Sequence, residues 1–296
     1  MECSSSLDYS NIAMKFKTPK SLKISKQVSS TLLVYVLLVY FGFKDSYLVD
    51  CCSLTVSDAS ALLRSISQTY GLDLSLLCLI SLDFDVIIAN KSILFQKIEC
   101  DNDFVIVDIS DETYRLLEHS SLIAKQFREH LSQSLSSTGS LQSVPESSQI
   151  RSAIGFPCFA GWLLGYPSVY MSTSMTNSAT TNDGIFQVVE LRKDSLLCVN
   201  QVDSSVLELM SFSIPSSMLS NSVQSIIEQS LSSKQQQFNN LLAFYKGDSE
   251  VCIFQSRSLN VDKSRLRSAY AACSDVLKVS SISMTSELVT VSSIRL

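Results

Sequence analysis

Twelve consecutive residues, LLVYVLLVYFGF from Leu32 to Phe43, contain no charged side chain. Crossing a bilayer takes roughly 20 apolar residues, so the run is too short to span one. Five lysines in MKFKTPKSLKISK, Met14 to Lys26, precede it in the order of a secretory leader. That basic region is too long for a leader, no small-residue cleavage site follows, and Lys44 and Asp45 come directly after Phe43. The run is therefore expected as a buried core helix or strand, and the fold has to be arranged around it.

With 296 residues the chain can bury a sizeable core unaided, and a hydrophobic content of 46% places it among globular proteins. Only 17% of residues are charged, and serine, about a fifth of the chain, supplies much of the remaining polar surface. A net charge of −5 leaves no basic footprint in the folded part, so a nucleic acid is not an expected partner. The nine cysteines are odd in number, lie mostly in apolar runs and form no CxxC pair. That usage fits free thiols in a reducing compartment and predicts a cytoplasmic location.

Along the chain, residues 1–26 read as a disordered tail. SYLVD (46–50), LSLLCLIS, DVIIA and DFVIVDIS read as strands. VSDASALLRSISQTYG reads as a helix capped by Ser57 and ended by Gly71. Ser110 is expected to cap a second helix carrying Leu116, Ile123, Phe127, Leu131 and Leu135. Residues 136–149, rich in serine with Gly139 and Pro145, read as a linker. Beyond it SVYMST, IFQVVELR, LLCVNQ, VLELMSFS, EVCIF and SELVTVSSI read as strands, with a long helix from about Leu219 to Lys246 whose face holds Ile227, Leu231, Phe238, Leu241 and Tyr245. The expected class is mixed α/β (α+β). An alternating strand–helix lobe (27–135) packs against a largely antiparallel lobe with one long helix (150–296), the two forming one compact unit.

GFPCFAGWLLGYPSVY, residues 155–170, holds three of the eight glycines, two of the five prolines and the only tryptophan. Phe156, Phe159 and Leu163 make a short helix face, Gly165 ends it in the left-handed conformation, Pro167 forbids continuation, and Val169 and Tyr170 start a strand. That is structural punctuation. The alternative is a ligand wall or partner hot spot, with Trp162, Gly165, Tyr166 and Pro167 as binding candidates. GWLLGYPSVY, with YLVD and SFSIP, resembles the chromosome 1 open reading frame 74 family of eukaryotic proteins. The resemblance implies an uncharacterised cytoplasmic protein and transfers no catalytic residue.

Chemistry is sparse. Asp50 and Asp108 each end a strand, where ligands of open α/β sheets sit, and could hold a metal with a phosphate or act as acid and base. Each could equally serve the turn or helix that follows. Asp83 and Asp85 repeat the pattern more weakly. His119 and His130 stand about 16 Å apart on one expected helix and cannot share a metal. A pairing such as Cys51 with His119 has no motif behind it. Asn90-Lys91-Ser92 matches a glycosylation acceptor, which matters only in a secreted chain. Glycine-rich phosphate loops and a GxSxG elbow are absent. The sequence favours a non-catalytic interaction or scaffold protein with a protein partner, no membrane span and no cofactor. The alternative is a metal- or phosphate-dependent enzyme near Asp50 and Asp108.

Overall fold

The computed structural model describes Leu22 and residues 24–82, 85–99, 104–109, 115–117, 120–135, 141–144, 155–171, 189–202, 205–249 and 261–291. Among these, seven α-helices and three mostly antiparallel sheets make a mixed α+β fold. The expected tail, apart from its last few residues, lies outside the described residues, as do Asp83, Ser110, His119 and the EVCIF segment.

The apolar run lies in helix α1 (Lys26–Tyr40) and the turn that follows. Leu32, Leu33, Val34, Val36, Leu37 and Leu38 are all fully inaccessible, because a helix apolar on every side must be enclosed on every side. Strand β1 (Ser46–Leu48) then enters a four-stranded sheet of order β1-β3-β2-β6, with β2 at Leu77–Leu82, β3 at Asp85–Asn90 and β6 at Gln142–Val144. Between β1 and β2, helix α2 (Val56–Tyr70) is capped by Thr55 and not Ser57. Thr55 Oγ1 accepts from the Asp58 amide at 3.1 Å while the Asp58 carboxylate accepts from the Thr55 amide at 3.2 Å. This reciprocal pair uses two donors that a Ser57 cap would leave open.

β6 corrects part of the expected linker. Its three residues pair in parallel with Cys78–Ile80 of β2, and Val144 is fully buried. Hydrogen bonding to a sheet edge has overridden the local turn chemistry of the serines. Nor does the 136–149 stretch divide the sheets. β4 (Val105–Asp108) pairs in antiparallel with β5 (Arg115–Leu117) and in parallel with β7 (Ser168–Met171). Leu116 thus faces Val107 in a strand, and helix α4 starts only at Ser120, running to Ser134.

Helix α3 (Lys91–Glu99), unanticipated from the sequence, starts directly after β3. Asn90 makes the junction. Its amide donates to the Val39 and Tyr40 carbonyls at the end of α1, and its Oδ1 accepts from the Ser92 and Ile93 amides at the start of α3. At 1% exposure, Asn90 in the acceptor tripeptide is a buried double cap. Helix α5 (Phe156–Leu164) ends at Gly165 with φ of 81°, as expected, and leads into β7.

The third sheet is antiparallel, of order β10-β8-β9, with β8 at Val189–Asn200, β9 at Val206–Pro215 and β10 at Val279–Val291. IFQVVELR and LLCVNQ contribute to the single strand β8. Helix α6 (Asn221–Lys246), capped by Ser220 and closed by Gly247, is the long helix expected. Helix α7 (Lys263–Ala272) precedes β10. Leu32 of α1, Leu77 of β2, Ile214 of β9 and Phe244 of α6 all belong to one core cluster, so the third sheet and α6 close over α1.

Candidate functional site

Ile227, Leu231, Phe238, Leu241 and Tyr245 face the core from α6, and the position that completes their stripe is Lys234. A lysine there must find a counter-charge. Its ammonium pairs with Asp45, which follows the apolar run at the α1–β1 turn and is 5% exposed. Lys97 of α3 reaches the other carboxylate oxygen at 2.9 Å. The remaining Lys97 protons go to the Trp162 carbonyl at 2.7 Å and the Leu163 carbonyl at 3.1 Å. Lys97 therefore closes the C-terminus of α5, where cations and donors are favoured. Ser46 adds a bond to the Leu163 carbonyl at 3.0 Å.

Burial alone would raise the Asp45 carboxyl, but Lys234 and then Lys97 outweigh it and hold it well below the usual carboxylate range. Burial pushes the Lys97 ammonium down to about 8, with Asp45 opposing the shift. The three charges tie together the α1–β1 turn, α3, α5 and α6.

Gly165 permits this packing. Its φ already favours glycine, and a Cβ there would overlap Asp45 Oδ2 and come within 3.3 Å of Lys234 Nζ. Gly165 leaves room for the carboxylate. Gly161 has a similar role, since a Cβ would meet Val169 Cγ1 at 2.7 Å.

Beside the triad lies a cavity of about 460 Å³. Ile93, Phe104, Trp162 and Pro167 form an apolar wall, and α6 supplies a polar wall from Gln229 to Gln237. Among the described lining residues, Lys97, Lys234 and Arg128 are basic and Asp45 is acidic. The Lys97 ammonium sits 5.5 Å from the centre of the Trp162 ring, on the cation-attracting face. Lys97 is committed to the Asp45 ion pair and two carbonyls, whereas Lys234, with its side chain 23% exposed, has two protons beyond its bond to Asp45.

All four binding candidates read from the sequence, Trp162, Gly165, Tyr166 and Pro167, line this cavity. Asp50 and Asp108 do not. Asp50 is exposed just past β1 in the four-stranded sheet, and Asp108 ends β4 in another sheet. The Asp50 charge acts on Lys44 and on Tyr166, whose phenol is raised by burial, then Glu208 and Asp50. Asp85 is exposed at the start of β3. His130 lies on α4, edge-on to Phe159 at 6.1 Å. Among the described residues no group of three His, Cys, Asp or Glu side chains could hold a metal.

A family model described as a domain of unknown function, DUF4504, matches residues 14–269. The chain belongs to this family. The match spans Asp45, Lys97, Gly165 and Lys234, so the whole triad of this DUF4504 member falls within it. No curated protein and no solved structure matches the chain.

Proposed function

We propose that this DUF4504 protein is a non-catalytic binding module that takes up a small organic anion in the cavity beside Asp45, Lys97 and Lys234. The observation that carries the reading is a pair of lysines, Lys97 and Lys234, sharing the single carboxylate of Asp45 beside a concave, half-apolar cavity of about 460 Å³. Ligand pockets commonly measure about 300–1,000 Å³ and combine an apolar lining with a few placed polar groups. The anion is met by Lys234, which keeps donors to give, while Asp45 sets its position and Lys97 adds positive field. The resemblance to the chromosome 1 open reading frame 74 family belongs to the same reading. So does a cytoplasmic location, supported by six free thiols among the described cysteines and by the lack, among the described residues, of a helix long and apolar enough to cross a membrane.

Asp50 and Asp108 lie outside the cavity, so the alternative of a metal- or phosphate-dependent enzyme at those residues draws nothing from it. The expectation of a protein partner also finds no support there.

Thermal unfolding of the full chain with phenyl phosphate, benzoate and inorganic phosphate tests the proposal. A ligand at 100 times its Kd adds about 2.7 kcal/mol to stability, which raises Tm by about 4 °C. The rise is expected in the wild type, lost in Lys234→Gln and kept in Arg265→Ala, whose side chain lies outside the cavity. A flat response, or an equal one in Lys234→Gln, overturns the proposal.

A further inference from the structure

Resting on the anion-pocket reading, we infer that the cavity takes a monocarboxylate carried on an aromatic ring, with a short chain between the two. Charge, donors and the apolar wall each bear on one part of that class.

The triad leaves one positive charge over. Lys97 and Lys234 share the single carboxylate of Asp45, each on its own oxygen, so the three groups in contact sum to +1. Arg128 has a partner of its own, and the excess rests on the two lysines. Lys97 gives its protons to Asp45 and to the Trp162 and Leu163 carbonyls, which leaves Lys234 as the ammonium that meets a ligand. Two protons of one ammonium suit the two oxygens of a carboxylate. A phosphate monoester carries about −1.5 to −2 at pH 7, beyond the single charge that this pair of lysines leaves over. A zwitterionic amino acid fails from the other side. Asp45 is the one acid among the described lining residues, and both its oxygens already hold a lysine. An added ammonium would be taken out of water with no counter-charge.

The ring has its place next to that charge. Ile93, Phe104, Trp162 and Pro167 form the apolar wall, against which a flat ring can lie. The Lys97 ammonium stands 5.5 Å from the centre of the Trp162 ring. Gly165 closes the helix that carries Trp162, and a Cβ there would come within 3.3 Å of Lys234 Nζ. Wall and ammonium are thus adjacent, and a short chain joins ring to carboxylate. Gln229, Ser233 and Gln237 of α6 line the same cavity with amides and a hydroxyl, so the class admits a polar substituent. A carboxylate without a ring would leave the wall bare, and the matching alcohol would leave Lys234 unanswered.

Isothermal titration calorimetry on the full chain at pH 7 decides the matter, with 3-phenylpropionate as the probe. Each comparator changes one feature: propionate lacks the ring, 3-phenylpropanol lacks the charge, L-phenylalanine adds an ammonium, and 2-phenylethyl phosphate adds a second negative charge. 3-Phenylpropionate is expected to bind about tenfold or more tightly than the first three, and more tightly than the phosphate ester. Lys234→Gln should weaken it by about tenfold or more. That variant leaves Asp45 with one partner and could fail to fold, so Ser233→Trp serves as the second test. It fills the cavity from an exposed position on α6, leaves the triad intact, and should abolish binding while preserving the circular dichroism spectrum. If propionate, L-phenylalanine or 2-phenylethyl phosphate binds as tightly as 3-phenylpropionate and is lost in Ser233→Trp, the aromatic monocarboxylate inference falls and the anion pocket stands. If 3-phenylpropanol binds as tightly, if no probe binds, or if binding survives Ser233→Trp unchanged, both fall.

Discussion

Lys44 and Asp45 are neighbours in the chain, yet each is drawn into a different buried polar centre. Asp45 joins Lys97 and Lys234 beside a cavity. Lys44 donates to the Leu209 carbonyl and lies over the Tyr35 ring, 5.6 Å from its centre, while Tyr35 stacks on Tyr47 and the Tyr47 hydroxyl reaches Cys51 Sγ. Leu209 is the extra residue of a β-bulge, since Leu196 pairs with Met210 and Leu197 with Glu208. Lys44 thus supplies a donor to a carbonyl that the β8–β9 ladder leaves over. Lys44 lines neither of the cavities beside Asp45. Buried charge therefore does not by itself mark a site; charge with donors to spare, facing a concave surface, does.

The largest contrast is expected on removing the carboxylate. Asp45→Asn leaves two lysines close together without a counter-charge and should cost about 3–5 kcal/mol in urea unfolding at pH 7. The pH dependence gives the comparison a sign. The folded-state pKa of Asp45 lies below its unfolded value, so its contribution is complete above about pH 4 and is lost as pH falls toward the folded value. The gap between wild type and Asp45→Asn should therefore close below about pH 4, by up to about 1.4 kcal/mol per pH unit. A gap that stays constant down to pH 2 would mean that Asp45 acts through packing and not charge.

Two glycines with similar backbones isolate the steric part. Gly165 and Gly71 have φ of 81° and 69°, but a Cβ at Gly71 meets nothing within 4 Å, whereas at Gly165 it strikes Asp45. Gly71→Ala should cost about 1–2 kcal/mol from the left-handed backbone alone. Gly165→Ala should exceed it by about 1 kcal/mol or more, because the triad must shift, and should weaken anion binding as well. Equal losses in thermal unfolding would show that the carboxylate moves aside freely.

What the sequence made legible follows from what is local. The helix stop at Gly165, the long helix α6 and the burial of Leu32–Phe43 all rest on periodicity and backbone preference, which act over a few residues. β6 differs from the reading because its stability comes from a partner distant in sequence, Cys78–Ile80, and β5 because Leu116 fits the helical spacing of α4 while its strand pairs with the nearby Ile106–Asp108. The cavity was half legible. Trp162, Gly165, Tyr166 and Pro167 drew attention as a rare cluster of residue types, while Asp45, Lys97 and Lys234 look like ordinary surface charges until three elements converge on them. One signal was available. Ile227, Leu231, Phe238, Leu241 and Tyr245 leave a gap in their stripe that Lys234 fills, and a charge on an apolar stripe is a buried charge in search of a partner.

The smallest effect is expected at the second centre, and it tests the contrast from the other side. Lys44→Met keeps the aliphatic stem and removes the ammonium. Two changes oppose each other: the Leu209 carbonyl loses its donor, while the cost of burying a charge disappears. At pH 7 the net change should stay within about 1 kcal/mol in either direction, several-fold smaller than at Asp45. Burial lowers Lys44 to about 8, with Glu208, Asp45 and Asp50 opposing the shift. The unfolded chain thus holds the proton more tightly, and the cost of burying the charge is complete below about pH 8. It is relieved between about pH 8 and 10, so wild type should gain on the methionine variant across that window. Anion binding should be untouched by Lys44→Met, because the ammonium it removes lies outside the cavity. If binding falls with Lys44→Met as far as with Lys234→Gln, the two centres act as one, and the distinction between a charge that serves the fold and a charge that serves a ligand fails in this protein.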